Sequence, residues 1–144
     1  MGGDVNLATG DGTTILELIL KNGWTELCET VVQNKANLFY IDCKDYDYFS
    51  IGLLYKSYDC IRILLKNEGF LSFIKNRECN IYYLVYYWTD EIPSLIDEIY
   101  EDGFDFSYNN SVPVLNIAID ENCYDAVVFF VNRGCPANVP FYDE

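Results

Sequence analysis

The chain has 144 residues, enough for one domain with a continuous core and short for two. Nine Lys and Arg stand against 23 Asp and Glu, a formal charge of −14 that argues against direct binding to phosphate backbones or anionic membrane surfaces. With no histidine in the chain, Ser-His-Asp and Cys-His catalysis and imidazole-ligated metals are excluded.

In chain order, the first clear unit starts at Asp11. A turn at Gly10-Asp11-Gly12-Thr13 leads into an apolar-periodic helix through Ile15-Leu16-Glu17-Leu18-Ile19-Leu20. Asn22-Gly23 breaks it, and the stretch from Thr25 to Asn37 supplies a second helix and a polar exit. Neither helix is long enough to bury its apolar face alone, so the break should fold them into a hairpin. The second unit runs through Phe49-Ser50-Ile51-Gly52-Leu53-Leu54, breaks near Lys56-Ser57, and resumes as Cys60-Ile61-Arg62-Ile63-Leu64-Leu65. In the third, Tyr83-Leu84-Val85-Tyr86-Tyr87-Trp88 is followed by a break around Thr89-Asp90 and a helix from Leu95 to Tyr100. The fourth has Val114-Leu115-Asn116-Ile117-Ala118-Ile119, a break at Glu121-Asn122, and a helix over Ala126 to Val131. Cys28, Ile61, Ile96 and Val127 fill one slot in the second helices, spaced by 33, 35 and 31 residues.

A helix-hairpin unit with a period near 33 resembles the ankyrin repeat. The first unit carries the family's Gly-x-Thr opening as Gly12-Thr13-Thr14 and its Gly-x-x-Glu link as Gly23-Trp24-Thr25-Glu26, with the acidic position returning as Asp59 and Asp125. Gly69, Gly103 and Gly134 match the glycine that ends the second helix in a left-handed cap. The family's Thr-Pro-Leu-His opening is missing from all four units. Its paired alanines correspond to Ile19-Leu20, Gly52-Leu53, Tyr87-Trp88 and Ala118-Ile119, where bulk should push neighbouring helices apart, most of all in the third unit. The resemblance implies an all-α solenoid forming one domain over 1–144, with repeats at about 11–38, 44–71, 79–106 and 110–138. A TPR-like or HEAT-like helical array is the competing architecture.

Gly3-Asp4-Val5-Asn6 is similar to the closing segment of such a repeat, so residues 1–9 are either the tail of an upstream unit, in a longer array, or a chance match. The last helix is apolar nearly all round, with Val128 where a surface residue belongs. Terminal repeats usually turn a polar face to water. Either 136–144 folds back with Phe141 and Tyr142 as a lid, or the face supports association with another chain or with missing repeats.

The six cysteines form no CxxC pair, and the start Met1-Gly2-Gly3-Asp4 has neither a basic nor an apolar region. Free thiols and an intracellular location are therefore expected. No apolar run approaches the roughly 20 residues that span a bilayer. The 13 Tyr and 9 Phe should supply much of the core, many Tyr lying with ring inward and hydroxyl toward water. Asp42, Asp45 and Asp47 lack the glycine and distal Glu of a calcium loop and read as a solvated turn. Nothing in the chain suggests a catalytic site, a cofactor or a metal.

An ankyrin resemblance implies partner binding by the inter-repeat turns and the outward faces of the first helices. Those slots hold Asp11, Thr13, Lys21 and Asn22, then Lys44, Tyr46, Leu54 and Tyr55. In the later units they hold Glu78, Ile81, Thr89 and Asp90, then Asn109, Asn110, Asp120 and Glu121. Tyr46 and Tyr55 are the expected anchors, because rigid aromatics with a polar tip tend to dominate binding energy. Asp97, Glu98, Glu101, Asp102 and Asp105 make a separate acidic band, either a basic partner's contact or a solvated face. Two functions compete: a protein-binding adaptor or inhibitor, and an acidic mimic of nucleic acid, of viral or mobile-element type, that occupies a basic protein.

Overall fold

A computed structural model describes Asn6, 8–100 and 114–135. Among these residues it is all-helical, with nine α-helices and no strand. None of the helices is long and apolar enough to cross a membrane. The chain divides into two compact units, Met1–Arg77 and Glu78–Glu144.

In the first unit, α1 (Ile15–Asn22) pairs with α2 (Thr25–Gln33), and α3 (Tyr48–Leu54) pairs with α4 (Tyr58–Leu65). The two pairs lie in layers: α1 packs on α3, and α2 on α4. Leu16, Ile19 and Leu20 from α1 are buried, as are Cys28 and Val31 from α2, Phe49 and Leu53 from α3, and Ile61 and Leu64 from α4. Each first helix starts from a capping box. The Thr14 hydroxyl accepts the Glu17 N–H, and the Asp47 carboxylate accepts the Ser50 N–H at 2.8 Å. Each cap satisfies amides that the first helical turn leaves bare.

Backbone geometry recurs with a fixed phase. Gly12 and Asp45 both have positive φ, one period of 33 residues apart. Gly23, Lys56 and Asn122 are left-handed one and three periods along the same phase, and Lys35 and Gly134 form a third set. The N–H groups of Trp24, Ser57 and Cys123 return to the carbonyls of Ile19, Gly52 and Ala118 at 3.1, 2.9 and 3.0 Å. Isolated bridges join Ala8 to Thr14 and Ile41 to Asp47, again in phase. The ends of α1, α3 and the later helix before Asn122 are therefore closed by the same left-handed device even where Lys or Asn replaces Gly.

The stretch after α4 departs from expectation. Gly69, expected to end a second helix in a left-handed cap, lies inside an additional helix, α5 (Glu68–Lys75), which runs past the predicted repeat boundary at 71. The Asn67 side chain accepts the Phe70 N–H at 2.9 Å and caps it. Phe70 and Ile74, four apart, bury one face. Glu68 and Lys75 sit at the helix ends where their charges suit the dipole. The glycine keeps a packing role, since a Cβ there would lie 3.3 Å from the Phe39 ring.

The second unit holds α6 (Cys79–Tyr86), α7 (Ile92–Ile99), α8 (Val114–Asp120) and α9 (Tyr124–Asn132), with α6 packed on α8 and α8 on α9. Tyr87 and Trp88, assigned to the paired-alanine slot, fall beyond the end of α6. The residue in phase with Ile19, Gly52 and Ala118 is Val85, which is buried like them. The predicted wedge in the third unit is therefore absent from that slot. Instead, the connection from α6 to α7 is lengthened to 87–91, and Pro93 occupies the first turn of α7, where its missing N–H has no helical acceptor to lose. Trp88 packs edge-on against Phe129 and Phe130 of α9. Phe130 is buried and Phe129 half-buried, while Val128 and Val131 are exposed, so α9 does present apolar surface. The segment 136–144 and Gly103 lie outside the described residues.

None of the six cysteines is in a disulfide, and Cys28, Cys60 and Cys135 are buried. Burial, before any neighbour, pushes the Cys28 thiol up to about 12. The tyrosines split more sharply than expected. Tyr48 and Tyr100 are buried outright, and burial raises both phenols, Tyr48 to about 12. Tyr55, Tyr82, Tyr86 and Tyr124 are exposed.

Candidate functional site

In the first unit the expected binding residues fall into two places at opposite ends of α3. Asp11 and Lys44 sit in the turns that precede α1 and α3. The Asp11 carboxylate accepts from the Thr9 hydroxyl and the Thr13 N–H, and these bonds hold its carboxyl down at about 2. Asp42 does the equivalent work in the second turn, accepting from Lys44 and Tyr46 N–H at 2.8 and 2.9 Å. Both carboxylates are turn-formers. Tyr46 is half-buried there.

At the other end, the links between paired helices frame a cleft of about 240 Å³ lined by Lys21, Asn22, Tyr55, Lys56, Tyr58 and Asp59. Three of the predicted residues, Lys21, Asn22 and Tyr55, are brought together there, and Leu54 beside them is exposed. The Asn22 amide is spent on the Leu18 carbonyl at 2.8 Å. The Ser57 hydroxyl, donated to the Leu20 carbonyl, ties one hairpin to the next beneath the cleft.

Beneath the surface of this unit lies an ionic centre. Asp47 is fully buried and receives the Ser50 N–H and hydroxyl as well as the Arg77 Nε at 2.8 Å. Arg77 also donates to the Asp45 carbonyl and faces the Phe73 ring. Its several partners, and its position under the turn, make this a structural device.

The second unit places the expected residues differently. Ile81, assigned to the outward face of the third first-helix, is buried together with Leu84 and Val85. Thr89 is half-buried and accepts the Glu91 N–H at 3.3 Å, while Asp90, Glu78 and Asp120 are exposed. Asn109, Asn110, Glu101, Asp102 and Asp105 lie outside the described residues. Of the acidic band, Glu98 is exposed, and Asp97 is tied to Arg133 in a forked pair, Nη2 reaching Oδ2 at 3.0 Å. That bond holds the Asp97 carboxyl below its usual range. The Arg133 guanidinium also lies 4.5 Å from the centre of the Phe129 ring.

Opposite that buried face of α6, Tyr82 and Tyr86 are exposed and Tyr83 and Tyr87 half-buried. Tyr82 and Tyr86 stack at 5.9 Å with planes 19° apart, Tyr83 and Tyr87 follow at 6.2 Å, and Tyr86 meets Tyr87 edge-on at 4.9 Å. Tyr82 and Tyr86 are 39% and 53% exposed. The Tyr82 hydroxyl donates to Glu121 Oε1 at 2.8 Å, so Glu121, an expected binding residue, joins this face from the α8–α9 link. The carboxylate, first, and partial burial, second, raise the Tyr82 phenol above its ordinary range. These tyrosines were not among the expected contacts. Their spacing at i, i+1, i+4 and i+5 on a helix was the available signal.

Charge is divided as unevenly as the aromatics. Residues 1–77 carry 10 Asp and Glu against 8 Lys and Arg, a formal −2. Residues 78–144 carry 13 against Arg133 alone, a formal −12. No three or more Cys, Asp or Glu side chains converge on a metal-sized point among the described residues. No family model, curated protein or solved structure matches the chain.

Proposed function

We propose that the chain is a degenerate ankyrin-type array that acts by binding another protein, as an adaptor or inhibitor, and not by chemistry. The observation that carries this reading is the 33-residue phase shared by left-handed residues, helix-closing hydrogen bonds and bridges. Paired helices of two turns joined by such links are the form in which short amphipathic helices bury their faces only by stacking, leaving link tips and first helices as an extended surface.

The concentration of negative charge in 78–144 favours a basic partner and gives support to a second reading, an acidic mimic that occupies the nucleic-acid site of a basic protein. Salt separates the two. Affinity capture from the native source, followed by calorimetry with the purified partner, should give saturable binding that weakens only a few-fold between about 0.05 and 0.2 M salt for an aromatic-anchored surface. A fall of about 1,000-fold over that range would favour the mimic. Failure to obtain any saturable protein partner would count against both.

A further inference from the structure

We propose that the tyrosine face of α6, together with Glu121 and its neighbour Asp120, docks an arginine-bearing segment of the partner protein. This rests on the binding-module reading and names the surface and the chemistry it selects.

Three independent observations converge on α6. First, two stacked rings are half in water, Tyr82 and Tyr86, although a soluble helix ordinarily turns such area inward. Second, a carboxylate is fixed at the edge of the stack by the Tyr82 hydroxyl, so an anionic acceptor and π-faces are held in one place before a ligand arrives. Third, the unit has a formal charge of −12 and its sequence contains no basic residue except Arg133.

Arg133 itself displays the recognition chemistry. Its guanidinium is forked by Asp97 and lies over Phe129, the two contacts a planar cation makes best. The α6 face offers the same combination, aromatic planes beside a carboxylate, and the unit has no second arginine to fill it. A guanidinium fits better than an ammonium, because it stacks on a ring and donates a fork of two N–H bonds to a carboxylate, whereas Lys engages as a point charge. The long-range field would draw a basic segment to this unit, and the rings would decide where it settles.

The test uses the full chain and a short peptide of alternating Arg and Ser, titrated at about 0.15 M salt. A Lys-Ser peptide of equal charge serves as the comparison. The Arg peptide should bind at one site several-fold more tightly than the Lys peptide. Tyr86→Leu and the double variant Tyr82→Ala/Tyr86→Ala should each lose about tenfold or more in affinity. Tyr86→Phe and Glu98→Gln should stay within about twofold, since the first keeps the π-face and the second removes a charge from α7. Melting curves check that the variants remain folded, and Tyr86→Phe keeps the test open if a larger change does not. Equal affinity for both peptides, or parallel loss in Glu98→Gln and the tyrosine variants, would overturn the proposal in favour of diffuse attraction. A captured partner that binds the double variant as tightly as the native chain would overturn this surface while leaving the binding-module reading standing.

Discussion

The two units put charge to opposite uses. In Met1–Arg77, acidic and basic residues nearly balance, and the carboxylates with the most contacts hold the chain together: Asp42 and Asp11 close turns, and Asp47 sits buried between a helix cap and Arg77. In Glu78–Glu144, carboxylates outnumber the single cation thirteen to one, and Asp90, Glu98, Asp120 and the Tyr82-bound Glu121 stay at the surface. Two sets of tyrosines show a matching contrast. Tyr48 of the first unit is sealed against the Thr14 hydroxyl at 2.8 Å, whereas Tyr82 and Tyr86 of α6 face water. Carboxylates and rings that folding consumes around Asp47 and Tyr48 have counterparts at α6 that remain available for contact.

If that contrast holds, substitutions in the first unit should cost stability, and those on α6 should leave it nearly unchanged. The largest effect is expected from Asp47→Ala. It removes a helix cap and leaves Arg77 facing a site built for its partner, a loss of about 3 kcal/mol in urea unfolding of the first unit. Gly52→Val should come next. A Cβ at Gly52 would fall 2.6 Å from Ile61 Cγ1 in the α3–α4 contact, and the extra bulk should cost about 2 kcal/mol by the same measurement. Asn67→Ala strips the cap from α5 and should cost about 1 kcal/mol, with hydrogen exchange quickening over Glu68–Lys75 first.

The smallest effect should come from the Asp97–Arg133 pair. Both side chains are about half exposed, so Asp97→Asn should cost under about 1 kcal/mol at neutral pH. Its sign with pH is defined. The folded carboxyl titrates below its unfolded value, so the stabilisation is present above about pH 4 and disappears as pH falls through the folded value. Unfolding midpoints of native and Asp97→Asn chains should therefore converge in acid. A gap that widened there would contradict the pairing.

The helix pairs of the first unit were legible in the sequence because period and punctuation agreed: Gly23 and Lys56-Ser57 mark both breaks, and apolar residues recur at helical spacing. The α5 helix was not legible from glycine alone. Gly69 looks like a terminator, but Asn67, Phe70 and Ile74 together supply a cap and a buried face, and these outweigh the cost of one glycine near a helix start. The tyrosine face was hidden for a related reason. Ile81 stands 35 residues after Tyr46, the spacing of Ile61 and Ile96, whereas the first helix keeps a spacing of 33 at Val85 and the extra length lies in the connection before Pro93, so the expected slots miss Tyr82 and Tyr86. The Glu121 contact joins residues 39 apart in the chain, a pairing that spacing alone does not reveal.

The contrast between the units is tested most directly by amide hydrogen exchange on the full chain, alone and saturated with a purified partner. The account predicts new protection concentrated over 82–87 and 119–122 of the second unit, with the turns around Asp11 and Asp42 unchanged. Protection confined to the Lys21–Tyr55 cleft of the first unit, with the α6 tyrosines exchanging as freely as before, would contradict it.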